Sequence, residues 1–205
     1  MPKIVNIASK RAELVAASLE VIANEGLPGA TLRRIAAHMG VSTGSITHYF
    51  DGRDELLLEA VATAHNAAGL RMRSAVGRSA NPADRLESVV LEALPLDKVR
   101  IREWKVWSAF RATLPGSSVF SKGNELGYGA WKAFLITLLE PLFADPDAIR
   151  REAALIMAMV DGIGFRLAAM PDDPLALASE QRQAAADIRV YLRGVSARQP
   201  QDQLR

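Results

Sequence analysis

TLRRIAAHMGVSTGSITHYFDGRDEL, residues Thr31–Leu56, is the stretch on which the reading of this chain turns. Thr31 offers the hydroxyl of a helix N-cap, able to accept a bond from a backbone N–H that the first helical turn leaves unpaired. Leu32, Ile35, Ala36 and Met39 then recur at helical spacing, and Gly40 supplies the left-handed residue that ends a helix. Ser42 caps a second helix, in which Ile46, Tyr49 and Phe50 form an apolar edge while Thr43, Ser45, Thr47 and His48 face elsewhere. A short helix, a glycine turn and a polar second helix make the helix-turn-helix pattern, whose second helix enters the DNA major groove. The expectation is sequence-specific binding of double-stranded DNA.

Outward from this stretch the chain reads as all-α. A first helix spans 9–25, with Leu14, Ala17, Leu19, Val21 and Ile22 on its buried side and Gly26 and Pro28-Gly29 ending it. A fourth helix spans 53–78 and links the N-terminal unit to the remainder. Asn81-Pro82, Asp145-Pro146 and Asp173-Pro174 each set a capping side chain before a proline suited to a first helical turn. The implied helices are 82–94, 98–113, 118–143, 146–169 and 174–194. Leu114-Pro115-Gly116 ends the second of them, and Pro141 kinks or terminates the third. No strand-like alternation or internal repeat interrupts the pattern. The expected organisation is a three-helix DNA-binding domain over 1–55, a helical effector-binding and dimerisation domain over 56–195, and a polar tail over 196–205.

Composition narrows the function classes. The chain has 205 residues, nearly half of them apolar, and no cysteine, which removes disulfides and thiolate metal sites and fits a reducing cytoplasm. The N-terminus turns polar within ten residues, without a signal-peptide core, and Asp161 and Arg166 interrupt the longest apolar run, so no membrane association is expected. Net charge is only +2, so a nucleic-acid partner must be argued from local placement. Lys3, Lys10, Arg11, Arg33, Arg34 and Arg53 surround the helix-turn-helix, opposed by Glu13, Glu20, Glu25 and Asp51. An enzyme is not expected: the three histidines (His38, His48 and His65) have no close metal-ligand partner, and GVSTGS lacks the lysine and preceding strand of a phosphate-binding loop. No metal or cofactor is implied.

Base reading falls to Thr43, Ser45, Thr47 and His48, with Gly44 permitting close backbone approach. Thr31 and the adjacent helix N-terminus offer donors to a phosphate, and Arg33 or Arg34 can reach a phosphate or a base. All three tryptophans lie in the C-terminal part: Trp104, Trp107 and Trp131, with Phe110, Tyr128, Phe134 and Phe165 in the same helices. Converging rings and a carboxylate can hold a quaternary ammonium. Asp161, interrupting an apolar helix, is the carboxylate singled out, with Glu103 and Glu125 as alternatives. Rings at helical spacing also suit a plain core, and Asp161 could instead pair with Arg166 or cap a neighbouring helix.

GVSTGSITHYFDGRDELL resembles the signature of TetR-family transcriptional repressors, with Arg53 where the family usually has lysine. WKVWSAFRA (Trp104–Ala112) and MVDGIGFRLAAM (Met159–Met170) are similar to segments of the BetI-like subgroup, repressors of choline and betaine genes. The resemblance implies phosphate contacts at His48, Tyr49 and Arg53. It also implies a homodimer built from helices 146–169 and 174–194, a palindromic operator, and release by a small-molecule effector. A choline-like cation is the first candidate, and an apolar or amphipathic effector the alternative. A helical ligand-binding protein with a degenerate DNA unit, and an activator in place of a repressor, also stay open.

Overall fold

The computed structural model describes residues 7–112 and 118–197, with side chains of the latter segment from residue 127 onward. Among these residues there are nine helices and no strand: α1 (Ile7–Gly29), α2 (Leu32–Met39), α3 (Thr43–Thr47), α4 (Arg53–Val76), α5 (Pro82–Ala93), α6 (Lys98–Arg111), α7 (Ser118–Leu139), α8 (Pro146–Ala168) and α9 (Pro174–Ala197). The terminator expected at Leu114-Pro115-Gly116, the candidate Lys3, the side chain of the candidate Glu125, and the tail beyond residue 197 lie outside the described residues.

Local chemistry accounts for the helix boundaries. The Thr31 and Ser42 hydroxyls accept from the backbone N–H groups of Arg34 and Ser45, each at 3.2 Å. Asn81, Asp145 and Asp173 cap the helices that begin at the prolines following them. Gly40 adopts φ +66° after α2, and Val41 N–H closes the turn on Ala36 O at 3.0 Å. Within α1, Gly26 has φ +70°, so the regular helix breaks where the sequence predicts and a single short turn carries it on to Gly29. Helix α7 ends at Leu139, earlier than residue 143. Glu140 and Phe143 still close turns, but Pro141 has no N–H with which to continue the ladder. The recognition helix is also shorter than expected; beyond Thr47 it tightens into turns, Tyr49 N–H reaching Ile46 O at 2.9 Å.

The chain divides into two compact units, Met1–Asn66 with Arg102–Glu125 and Ala67–Ile101 with Leu126–Arg205. In the first, Leu14, Ile22, Ile35, Ile46, Leu56 and Leu57 are at most 1% exposed and form one core with Phe50, Val106 and Phe110. Burial of each such side chain stabilises the fold by about 1.5–3 kcal/mol. This core holds α3 through Ile46 and Phe50. In the second unit, α5, α8 and α9 pack together, and Leu86, Val89 and Val90, Ile156 and Val160, and Ile188 and Leu192 on them are all buried. Two polar groups are tied in as well: Tyr191 donates to the buried Glu152 carboxylate at 2.7 Å, and Arg189 pairs with Glu87 at 3.1 Å.

Candidate DNA-reading surface and effector-binding residues

The helix-turn-helix sorts its side chains as its spacing demands. Ile46 and Phe50 point into the core at 0% and 2% exposure, which turns Thr43, Gly44, Thr47 and His48 to the surface and leaves Ser45 and Tyr49 half-buried. The Ser45 hydroxyl lies 3.0 Å from that of the Ser42 cap, and Thr47 Oγ1 donates to Gly44 O at 3.3 Å. Both oxygens keep acceptor capacity. A Cβ at Gly44 would meet only Ser42 Oγ, at 3.7 Å, so the protein itself does not require glycine there. The His48 and Tyr49 rings meet edge to face at 4.9 Å. The first turns of α2 and α3 carry no acidic residue, leaving their N–H dipoles unopposed from within each helix.

The basic residues differ from one another. Arg33 is exposed and makes no ion pair among the described residues. Arg34 donates from Nε to Glu25 at 2.6 Å, which neutralises it in the DNA-free protein. Arg53 turns inward: its Nε donates to Ala30 O at 2.8 Å and its Nη2 to Leu27 O. It thus serves the carbonyl of Ala30 just beyond α1 and adds a second donor to that of Leu27, which already accepts the Ala30 N–H, a task unforeseen in the sequence. Arg11, read from sequence as one more basic residue, is the other surprise. It bonds Tyr49, Glu55 and Glu59 at once. The clue was its position three and four residues before Leu14 and Val15, a cation on the buried stripe of a helix.

The effector candidates fall into two groups. In the first unit, Trp104 and Phe110 are 4% and 3% exposed, and Phe110 belongs to the core formed with α1 and α4. Trp107 stands edge-on to Trp104 at 5.4 Å and stacks on His65 at 5.4 Å with 16° between the planes. His65 was not singled out for this role. Burial pushes its pKa below the usual histidine range and so favours the neutral ring. The indole N–H of Trp107 is buried without an acceptor. In the second unit, Tyr128 donates to Asp161 at 2.6 Å, Trp131 and Phe134 lie 6.4 Å apart, and Phe165 follows one turn after Asp161 on α8. The alternative pairing of Asp161 with Arg166 is corrected here, because Arg166 reaches across to Glu180 on α9. A groove of about 370 Å³ between α1 and α4 is lined by Arg11, Val15, Leu19 and Glu59 among others and has no aromatic ring, so it is not the cation site anticipated. No group of three or more His, Asp or Glu residues poised to hold a metal occurs among the described residues, and no helix there is long and apolar enough to cross a membrane.

Comparison with known proteins agrees with this architecture. Residues 14–60 match the family of bacterial regulatory proteins described as the tetR family, and residues 82–195 match the C-terminal domain of BetI-type transcriptional repressors. The regulator PksA of Bacillus subtilis is 30% identical over 171 residues, covering 80% of this chain and 82% of the relative. BetI of Burkholderia cenocepacia is 31% identical over 180 residues, covering 86% and 92%. A crystal structure of a transcriptional regulator from Saccharomonospora viridis in complex with choline superposes with a TM-score of 0.77 at 19% identity, covering 93% of this chain and 97% of that one. The chain belongs to the TetR family of transcriptional regulators, a family of DNA-binding proteins and not of enzymes, and carries a C-terminal domain of BetI type.

Proposed function

We propose that this regulator is a dimeric repressor that binds a palindromic operator and is released by a small quaternary ammonium compound. Residues 1–55 read DNA, and residues 56–195 bind the effector and pair the subunits. Thr43, Ser45, Thr47 and His48 address base edges, with Gly44 allowing the groove wall close approach. Thr31, Arg33, Arg34, His48, Tyr49 and Arg53 hold phosphates. The observation that carries this half is the sorting of α3, with Ile46 and Phe50 buried so that the polar residues share the exposed side. For Arg34 and Arg53, contact with DNA means exchanging or sharing the partners they now hold.

The effector class rests on chemistry and on relatives. Neutral His65 stacked on Trp107, with Trp104 beside it, is a set of π faces that attracts a cation, and the unpaired Trp107 N–H suits an oxygen acceptor on the same ligand. Tyr128, Trp131, Phe134, Phe165 and the Asp161 carboxylate offer the same combination of rings and negative charge. Choline in the Saccharomonospora viridis regulator and the similarity to BetI favour this class over an apolar effector. Effector and operator oppose each other through one coupling energy, with α4 running between the parts that bind them. The test is binding of the purified protein to its own upstream DNA with and without choline or betaine aldehyde. Release by either supports the full reading. Specific binding indifferent to both removes the cation and keeps the regulator.

A further inference from the structure

Arg11 lies on α1 in the same helical stripe as the buried Leu14, Val15 and Ser18, and its own side chain is half-buried at 29% exposure. Its charge is met three times. Nη1 donates to the Tyr49 carbonyl, and Nη2 donates to Glu55 at 3.0 Å and to Glu59. The guanidinium carbon also sits 4.0 Å from the centre of the Phe50 ring. The other oxygen of Glu55 accepts the backbone N–H of Asp51. One side chain of α1 therefore ties together the segment that closes α3 and the first two turns of α4.

Two features separate this cation from the basic residues that meet DNA. First, it faces two carboxylates, so the cluster carries net negative charge and would repel a phosphate. Second, its backbone target is the carbonyl of Tyr49, in the turn that follows the α3 cap residue His48. We infer that Arg11 is a positioning residue for DNA reading: it contacts no phosphate, and instead holds the C-terminal end of the recognition helix in register with α1 and α4. The inference rests on the DNA-reading role proposed above for α3. Hydrogen bonds to Glu59 and then Glu55 hold the Arg11 pKa above its usual value, consistent with a permanently charged latch. Lysine cannot replace it, because one ammonium lacks the planar fork that serves three acceptors in different directions.

The experiment compares wild type, Arg11→Lys and Arg11→Gln in two readouts. The first is amide hydrogen exchange of residues 46–53 in the DNA-free protein. The second is affinity and its salt dependence for a duplex that the wild type selects from a random-sequence library. Both variants should exchange faster in that segment. Both should also bind about tenfold or more weakly, the equivalent of one lost charge-assisted hydrogen bond, with the slope of log affinity against log salt unchanged. A slope reduced by about one would make Arg11 a phosphate ligand and overturn the inference; so would wild-type exchange and affinity in both variants. If Arg11→Gln does not fold, Glu59→Gln removes one arm of the latch from the α4 side, and faster exchange over 46–53 remains the required result. Should the wild type select no duplex, the DNA reading fails, while the exchange data still decide whether Arg11 holds α3.

Discussion

Single side chains in the helix-turn-helix carry two kinds of work, and substitution separates them. The Tyr49 ring packs against the core, and in the proposed reading its hydroxyl meets a phosphate, so Tyr49→Phe should weaken operator binding and leave the unfolding midpoint close to wild type. Arg53 differs, because its guanidinium already closes the carbonyls of Ala30 and Leu27. Arg53→Ala should therefore lower stability by about 1–2 kcal/mol, since those acceptors lose charge-assisted partners, and should weaken binding as well. Urea unfolding and fluorescence anisotropy across a salt series measure the two effects. Wild-type affinity and salt slope in both variants would refute the phosphate assignment.

Pairs of elements are held by groups whose titration or removal can be read out. His65 of α4 stacks on Trp107 of α6, and burial lowers its pKa from 6.5. The sign follows from linkage: below 6.5 the unfolded chain takes up a proton that the folded ring resists. The contribution is fully present above 6.5 and is lost as pH falls from there toward the lowered folded pKa. The urea midpoint should accordingly drop as pH falls below 6.5, and His65→Phe, which keeps a ring against Trp107, should flatten that part of the profile. Elsewhere Glu92 of α5 gathers Arg78 at 3.0 Å, Arg100 at 3.3 Å and Arg71 at 4.0 Å, joining the end of α4 to α5 and the start of α6. Glu92→Gln leaves three guanidinium groups around a neutral amide. Its side chain is 16% exposed while that of Arg78 is 58% exposed, so solvent softens the penalty. A loss of about 1–2 kcal/mol in chemical denaturation is expected, with a larger loss at low ionic strength than at high.

At the scale of the whole molecule the proposal requires two chains. One helix-turn-helix covers too few bases for a selective operator, and two-fold symmetry supplies the second half-site. Helices α8 and α9 bury Ile156, Val160, Ile188 and Leu192 within their own unit yet leave Leu155 51% and Val190 69% exposed. Ala154 and Ala158 are exposed as well, on the helix whose apolar residues run almost all round. Sedimentation at micromolar concentration should give twice the mass of one chain, and Leu155→Glu with Val190→Glu should give one chain that keeps its helical circular dichroism. A wild-type protein that sediments as a single chain would remove helices 146–169 and 174–194 as the dimer interface.

Much of this protein was legible before any tertiary information, wherever the physics is local. Caps at Thr31, Ser42, Asn81, Asp145 and Asp173, the left-handed Gly40 and the buried edge of α3 each depend on residues within a turn or two, so spacing alone predicts them. The end of α7 depends equally on Pro141, although the helix stops short of the expected residue. Partners distant in the chain were not legible. Arg11 meets residues 38 to 48 positions away, Arg53 closes carbonyls 23 and 26 positions back, His65 stacks on a ring from another helix, and Arg166 chooses Glu180 over Asp161. The sequence by itself determined that the chain would be helical and would present a helix-turn-helix, because hydrogen bonding and apolar periodicity act over a few residues. Only the tertiary structure decided which basic residues stay at the surface and which are spent inside, because that choice depends on carbonyls and carboxylates brought together by packing.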